Sequence, residues 1–200
     1  MTRFVDEFEH GFGWIEDARL HRTAHALLAG GRVWVIDPFE ADGVLERIRA
    51  LGEPAGVIQL IDRHARDGAA FAWELGVPLH VVPRSVPDSP FTILPVVSRR
   101  LWQEVALWWP EERVLVAADS LGTLPFFRAG EEPIGIHPLV RLFPPKILSG
   151  LDPRHVLVGH GLGRHGDQGA TEVDDAIAKA RRRLPRWLVG IRRAFSAQGS

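Results

Sequence analysis

Three short apolar runs in this chain end directly at residues that can take part in chemistry. The run 57–61 precedes a polar segment, 62–67, that reads Asp-Arg-His-Ala-Arg-Asp. Asp119 follows a second run, and His160 lies just after a third. Continuous apolar runs of this length are typical of strands that are covered on both faces. The chain must therefore enclose a sheet between other layers, with polar side chains at the strand ends.

The first half of the chain is predicted to alternate strands with helices. Runs of β, β, α, β, α and β character follow one another at 23–29, 32–37, 44–51, 57–61, 67–75 and 77–82. Gly30-Gly31 between the first two runs favours a hairpin. Gly52 and Gly76 follow the two helical runs, where glycine commonly ends a helix. This order predicts a layered α/β architecture with the helices outside the sheet.

The second half is predicted to add another sheet within the same domain. Three β-rich stretches cover 91–97, 104–109 and 113–118, followed later by a strand at 155–158. The connection 120–150 is rich in proline and glycine, and a connection of that length is usually functional or mobile. We find no repeat or linker, and 200 residues suit one domain spanning 1–200.

A helix is also predicted after the last strand. Thr171 and Asp174 have the spacing of a capping box, which favours a helix beginning there. The apolar residues that follow recur at helical spacing.

Composition narrows the choice of cofactor and compartment. The chain has no cysteine, so any metal would be held by histidine and carboxylate side chains. The first ten residues lack the apolar segment of a signal peptide, and no apolar run reaches the roughly 18 residues of a membrane span. We therefore expect a cytoplasmic protein with no membrane partner.

The C-terminal segment concentrates positive charge. Its last twenty residues carry six arginines and no acid, with leucine, tryptophan and isoleucine interleaved at helical spacing. This pattern predicts a packed terminal helix with a solvated arginine face, and it favours that over a nucleic-acid patch. Trp108 and Trp109 predict a homodimer if they form a bare aromatic patch.

The order of these motifs resembles the metallo-β-lactamase-fold superfamily over nearly the whole chain. The first signature of that family reads H-x-H-x-D-H at the place occupied here by residues 62–67. The resemblance implies an α/β four-layer αββα sandwich. It also implies the skeleton of a dinuclear metal-hydrolase site.

The resemblance assigns seven positions of this chain to the site. In the family, one metal is held by the first two histidines of the signature and by a third histidine further along. The other metal is held by the rest of the signature and a final histidine, and one aspartate bridges both. The matching positions here are Asp62, His64, Arg66, Asp67, Arg100, Asp119 and His160.

Two of these positions cannot bind a metal. Arg66 and Arg100 carry a permanent positive charge and have no lone pair to donate. Their guanidinium groups are well shaped to pair with Asp62, Asp67 or Asp119 instead. The residues therefore favour a site without a cofactor, in which arginine–carboxylate pairs have replaced the metal. Such a chain would be a binding or structural homologue, with a small molecule as its expected ligand.

A site with one bound metal is the alternative. Asp62, His64, Asp67, Asp119 and His160 would form an oxygen-rich ligand set for a single zinc, manganese or iron ion. A metal in such a site lowers the pKa of its bound water, which then attacks an ester, amide or phosphate. The alternative function is therefore an atypical mononuclear hydrolase whose substrate the sequence does not identify.

Overall fold

The first half of the chain forms a six-stranded sheet. The computed structural model describes residues 2–17, 20–63 and 65–196, with side chains described up to residue 190. The strands lie side by side in chain order. They are β1 (Thr2–Phe8), β2 (Gly11–Glu16), β3 (Thr23–Ala29), β4 (Arg32–Ile36), β5 (Glu53–Gln59) and β6 (Leu79–Val81). Strands β1 to β4 are antiparallel, and β4, β5 and β6 are parallel.

Two helices cover the outer face of this sheet. α1 (Val44–Leu51) connects β4 to β5, and α2 (Gly68–Leu75) connects β5 to β6. Their apolar residues, such as Ile48 and Phe71, pack against Trp14 and other buried side chains of the sheet. Each side chain of this size contributes about 1.5–3 kcal/mol on burial. Parallel strands require such crossovers, which is why the helices fall here.

The second half forms a five-stranded sheet in the order β13-β12-β9-β8-β7. Its strands are β7 (Thr92–Arg99), β8 (Trp102–Trp109), β9 (Val114–Ala117), β12 (His155–Val158) and β13 (Arg164–His165). Two short strands, β10 (Leu121–Gly122) and β11 (Gly135–Ile136), pair with each other in the long connection. The parallel pairing of β9 with β12 matters most for the site, because it places the ends of both strands together.

The two sheets pack face to face around the main core. That core contains Leu27 and Ile58 from the first sheet and Leu107 and Leu157 from the second. Helix α3 (Gly169–Lys179) adds Ile177 and neighbouring apolar residues to it. The layers are therefore helix, sheet, sheet and helix, and the predicted αββα architecture is confirmed.

The predicted helix and turn positions are mostly confirmed. Gly30 and Gly31 join β3 to β4 with φ of 57° and 81°, a conformation that glycine adopts without strain. The predicted capping box is wrong, because α3 begins at Gly169, before Thr171. Asp174 does not cap the helix; its Oδ1 accepts a hydrogen bond of 3.0 Å from the Gly150 N–H.

Helix α4 (Leu184–Ser196) packs on the long connection 120–150. The Trp187 indole donates to the Phe126 carbonyl at 2.6 Å. Arg183, just before the helix, pairs with Glu132 at 3.0 Å. The prediction of a packed terminal helix is thus confirmed for the described side chains. Arg183, which carries part of the positive charge of this segment, forms an ion pair within the protein.

Two further predictions concerned membrane-spanning helices and an exposed aromatic patch at Trp108 and Trp109. Within the described residues, no helix has both the length and the apolar character needed to cross a membrane. Trp109 is buried and Trp108 is partly buried in the sheet, so these side chains do not form the bare patch that would have favoured a dimer. The homodimer stays a prediction.

Candidate functional site

Asp119 and His160, hereafter the strand-end pair, lie together at one edge of the second sheet. Ala117 of β9 is opposite Val158 of β12 in a parallel register, so the residues just beyond these strands come close. The Asp119 Oδ1 atom is 3.2 Å from the His160 Nε2 atom. Both side chains are buried, with 9% and 8% of their surface exposed. Their proximity follows from the sequence pattern, because both residues end parallel neighbours.

The His160 ring is held in one orientation. Its Nδ1 atom is 2.8 Å from the Leu20 carbonyl oxygen, which can only accept a hydrogen bond. Nδ1 therefore carries the proton, and Nε2 faces Asp119. The Phe127 ring stacks on the imidazole with centroids 5.8 Å apart. This arrangement suits a protonated imidazole paired with a carboxylate, and it is also how proteins orient metal-binding histidines.

Arg63 supplies a positive charge next to Asp119. Its Nη2 atom lies 3.8 Å from Asp119 Oδ2, and its guanidinium lies 4.4 Å from the centroid of the Trp102 ring. Stacking on an aromatic face holds the guanidinium beside the carboxylate. The sequence analysis missed this residue, since position 63 is a variable one in the family signature.

Arg66 donates hydrogen bonds to backbone carbonyls at the ends of three strands. Its Nη1 atom donates to the carbonyls of Thr23 and Asp37, both at 2.8 Å, and its Nη2 atom donates to Gly159 at 3.2 Å. The pKa of Arg66 is lowered by burial, an effect that the charges of Asp37 and Asp119 oppose. The arrangement differs from the predicted arginine–carboxylate pairs, because the bonded partners of Arg66 are carbonyl groups. The arginine that forms an ion pair with Asp119 is Arg63, at 3.8 Å.

Asp37 is a buried carboxyl that the sequence analysis did not assign to the site. It directly follows β4, and its Oδ1 atom accepts a hydrogen bond of 2.9 Å from Leu60 N–H. Burial raises its pKa to about 6, although the Arg66 charge opposes the shift. A polar residue directly after a buried strand was the available signal, the same one that identified Asp62 and Asp119.

Glu104 is a second buried carboxyl, on β8. One of its oxygens accepts from Ser120 N–H and the other from the Trp102 indole, each at 2.9 Å. Burial raises its pKa to about 7, and the negative charge of Asp119 also raises it. An acid inside an apolar β-rich run was the sequence signal for this residue. Together with Asp37 and Asp119 it makes the site rich in carboxyl groups.

The other predicted site residues lie in different surroundings. Asp67 Oδ2 accepts a hydrogen bond of 2.7 Å from the Glu40 N–H, at the start of α2. Asp62 is exposed, and its backbone N–H bonds to Gln103. Arg100 is exposed in the turn between β7 and β8 and makes no hydrogen bond or ion pair with another described residue. His64 lies outside the described residues.

The described donors do not fit the dinuclear metal centre of the family. Arginine occupies two of its seven positions, and Asp62 is exposed. Among the described residues, which exclude His64, no three histidine, aspartate or glutamate side chains are grouped as metal ligands. Within the part of the chain that the structure describes, Asp119 and His160 are the predicted ligands that lie together.

A cleft of about 530 Å³ opens at the loop that follows His160, and none of the described predicted site residues lines it. The loop Gly161–Arg164 forms one wall, and Arg3, His21 and Arg128 are among the other lining residues. Arg164 is paired with Glu172, while Glu131 is the acidic residue on the cleft wall. The cleft is therefore moderately positive.

Solved structures with this architecture are similar to the chain at low sequence identity. The metallo-β-lactamase DIM-1, in a crystal exposed to ceftazidime, has a TM-score of 0.66 and 13% identity, with 90% of this chain and 97% of that chain covered. A metallo-β-lactamase from Hirschia baltica gives 0.57 and 10%, with coverage of 90% and 97%. The flavodiiron protein from Giardia intestinalis gives 0.61 and 13%, with coverage of 91% and 59%.

The chain therefore has the metallo-β-lactamase fold, as the motif order predicted. No protein-family model matches it, and no curated protein matches it either. Identities of 10–13% establish the fold and leave the chemistry to be argued from the site.

Proposed function

We propose that this chain is a metal-free binding protein that uses the metallo-β-lactamase fold to hold a small anionic ligand. The observation that carries the proposal is the position of Arg66. A guanidinium at a ligand position of the family is bonded to three backbone carbonyls. It has no lone pair for a metal, and moving it away would remove a donor from each of those carbonyls.

The charge of Asp119 supports the same proposal. Arg63 lies 3.8 Å from one of its carboxylate oxygens, and Arg66 adds a second positive charge nearby. The His160 Nε2 atom lies 3.2 Å from the other oxygen. In the family, the aspartate at this position bridges two cations. Here cationic groups of the protein can balance its charge, so a metal ion would have to compete with them.

The cleft at the loop 161–164 supports a small anion as the ligand. Arg3 and Arg128 lie on its wall with one acid, Glu131, and the volume suits a small molecule. Arginine is well suited to bind carboxylate or phosphate groups through paired hydrogen bonds. The proposal keeps the cytoplasmic location that the sequence predicted.

Elemental analysis tests the metal-free site. Tag-free protein prepared without chelator should contain zinc, manganese and iron far below one ion per chain. The measurement should be repeated on the Asp119→Asn variant, which should give the same low values. Near-stoichiometric metal in the wild type that disappears in Asp119→Asn would contradict the proposal.

Ligand binding is tested separately with inorganic phosphate. A titration followed by thermal shift should show stabilisation of the wild type, and Arg128→Met should weaken it. The exposed Arg100→Met variant is the control and should behave as the wild type does. Stabilisation that is equal in all three proteins would argue against the cleft as the binding site.

A mononuclear hydrolase is the second candidate, and the orientation of His160 favours it. The Leu20 carbonyl fixes the proton on Nδ1, which leaves Nε2 directed towards Asp119. Asp119 and His160 would then hold one ion, which would supply a water of lowered pKa. Metal that is released by both Asp119→Asn and His160→Gln would establish this candidate in place of the first.

A further inference from the structure

A pair of histidines lies at the opposite end of β12 from His160. His155 begins β12, and His165 is directly across from it on the antiparallel strand β13. Their Nδ1 atoms are 2.7 Å apart. The ring centroids are 5.0 Å apart. The two Nδ1 atoms are thus joined by a hydrogen bond at the protein surface.

Neighbouring side chains hold both rings in place. The Phe8 ring stacks on His155 with centroids 4.5 Å apart and an interplanar angle of 25°. The His165 Nε2 atom lies 3.5 Å from Asp6 Oδ1. Asp6 is in turn fixed by the Gly163 N–H, which bonds to both carboxylate oxygens at 2.9 and 3.0 Å. The orientation of each ring is therefore set before any ligand arrives.

The positions of the protons follow from these contacts. Asp6 favours a proton on Nε2 of His165, which leaves a lone pair on its Nδ1. In the ion-free protein, His155 donates its Nδ1 proton to that lone pair. If the His155 proton moves to Nε2, both Nδ1 lone pairs become available. A carboxylate behind a histidine is a common way in which proteins prepare that residue as a metal ligand.

We propose that His155 and His165 form a surface site for one Cu²⁺ or Ni²⁺ ion, bound through the two Nδ1 atoms, with Asp6 as the positioning residue. For metal–nitrogen bonds of about 2.0–2.1 Å, a 90° angle at the metal separates two nitrogens by about 2.9 Å and a tetrahedral angle by about 3.4 Å. The 2.7 Å separation is nearer the first value. It therefore favours ions that adopt square or tetragonal geometry over tetrahedral Zn²⁺.

Each of the two arginines that face the pair is matched by an acid. Arg113 and Arg154, which face His155, are each paired with an acid, at 2.8 Å to Asp152 and 3.9 Å to Asp167. His10 is likewise paired with Glu112. Burial lowers the pKa of His155 to about 4, with the nearby His165 and Arg154 adding to the shift. The positive groups that lower this pKa also weaken the binding of a cation, and their pairing with acids limits that effect.

Titration of the full chain with NiCl₂ at pH 7.5, followed by calorimetry, tests the site. We expect one Ni²⁺ per chain, with saturation well below about 1 mM, the range of weak association. His155→Gln and His165→Gln should each weaken binding at least tenfold, and Asp6→Asn by about 10–100-fold through the loss of its orienting carboxylate. His80→Gln, on β6 and outside the pair, is the matched control and should bind as the wild type does.

The same titration separates this site from the strand-end pair. Binding should persist in Asp119→Asn and in His160→Gln. Cu²⁺ bound to the wild type should show coupling to two nitrogens in its electron paramagnetic resonance spectrum, and either glutamine variant should lose one of them. The proposal is overturned if Ni²⁺ does not bind, if it binds equally in the His155→Gln/His165→Gln double variant, or if Asp119→Asn abolishes binding.

Discussion

The two parts of the site differ in how far they depart from the family pattern. In the segment 62–67, Arg66 bonds to three carbonyls and Asp67 bonds to the Glu40 N–H. In the strand-end pair, Asp119 and His160 keep the residue types of the family and lie 3.2 Å apart. The segment 62–67 makes hydrogen bonds that join strand ends. The strand-end pair retains the orientation of two metal-binding side chains.

Under the proposed metal-free function, this difference would be an example of a metal site that changes while the fold is kept. The family signature follows β5, close to the ends of β3, β4 and β12. An arginine there can donate hydrogen bonds to the carbonyls at those ends, and these bonds hold the strand ends together. The strand-end pair is fixed by the parallel register of β9 and β12, which the fold requires. Its geometry therefore follows from the strand register.

The largest expected effect is on stability, from Arg66→Met. Three carbonyls lose a charged donor, and Asp37 and Asp119 lose a compensating charge, so we expect a loss of about 3–4 kcal/mol in the free energy of unfolding. Urea denaturation at pH 7 measures it. Arg100→Met removes the same group from an exposed turn and should change the value by less than about 0.5 kcal/mol. Equal effects of the two substitutions would show that Arg66 does not join the strands.

The next largest effect is expected from Glu104→Gln, which should change how the free energy of unfolding depends on pH. The folded-state pKa of Glu104 is about 7, above the ordinary value of 4.5, so the folded protein retains this proton over that interval. Its contribution favours folding at low pH and is lost as the pH rises through 7. Between pH 5 and pH 8 the wild type should lose on the order of 1–3 kcal/mol more stability than Glu104→Gln does.

The control for this experiment is the exposed Glu111→Gln in the turn between β8 and β9. It should leave the pH dependence of the wild type unchanged. Parallel pH curves for the wild type and Glu104→Gln would mean that Glu104 is ionised in the folded protein at pH 5. In that case the carboxyl groups around Asp119 would repel one another less than described above.

The smallest effect concerns the aspartates of the segment 62–67. Asp67→Ala removes the acceptor for the Glu40 N–H and should cost about 1 kcal/mol of stability. Asp62→Ala removes an exposed side chain and should cost less than about 0.5 kcal/mol. Thermal unfolding of both variants tests the ranking. If Asp62→Ala were the more damaging of the two, Asp62 would have a structural partner that the present account lacks.

The sequence was sufficient to predict the architecture and the strand-end pair. Apolar runs and glycine stops located β3 to β9, α1 and α2, because burial and helix termination leave direct marks in the sequence. Strands β1 and β2 were not predicted, since residues 2–16 mix acids with apolar residues and β1 is a partly exposed edge strand. The capping-box prediction failed because Asp174 bonds to the distant Gly150, a tertiary contact with no local signal.

The contacts that the site residues make were harder to predict than the identity of the residues themselves. The sequence indicated that Arg66 could not bind a metal, but its acceptors come from residues 23, 37 and 159, which only the folded chain brings together. Glu104 and Asp37 each had a sequence signal, but their raised pKa values depend on burial that only the packed sheets provide. Arg63 was missed because its importance depends on the neighbouring Trp102 ring.

Anomalous diffraction is the most direct test of whether protein cations have replaced the metal beside Asp119. Crystals of the tag-free protein grown with zinc and manganese should be measured at both absorption edges. We predict no anomalous peak between Asp119 and His160, with the Arg66 guanidinium on the carbonyls of residues 23, 37 and 159. A strong peak bonded to the His160 Nε2 and Asp119 carboxylate atoms would contradict the account.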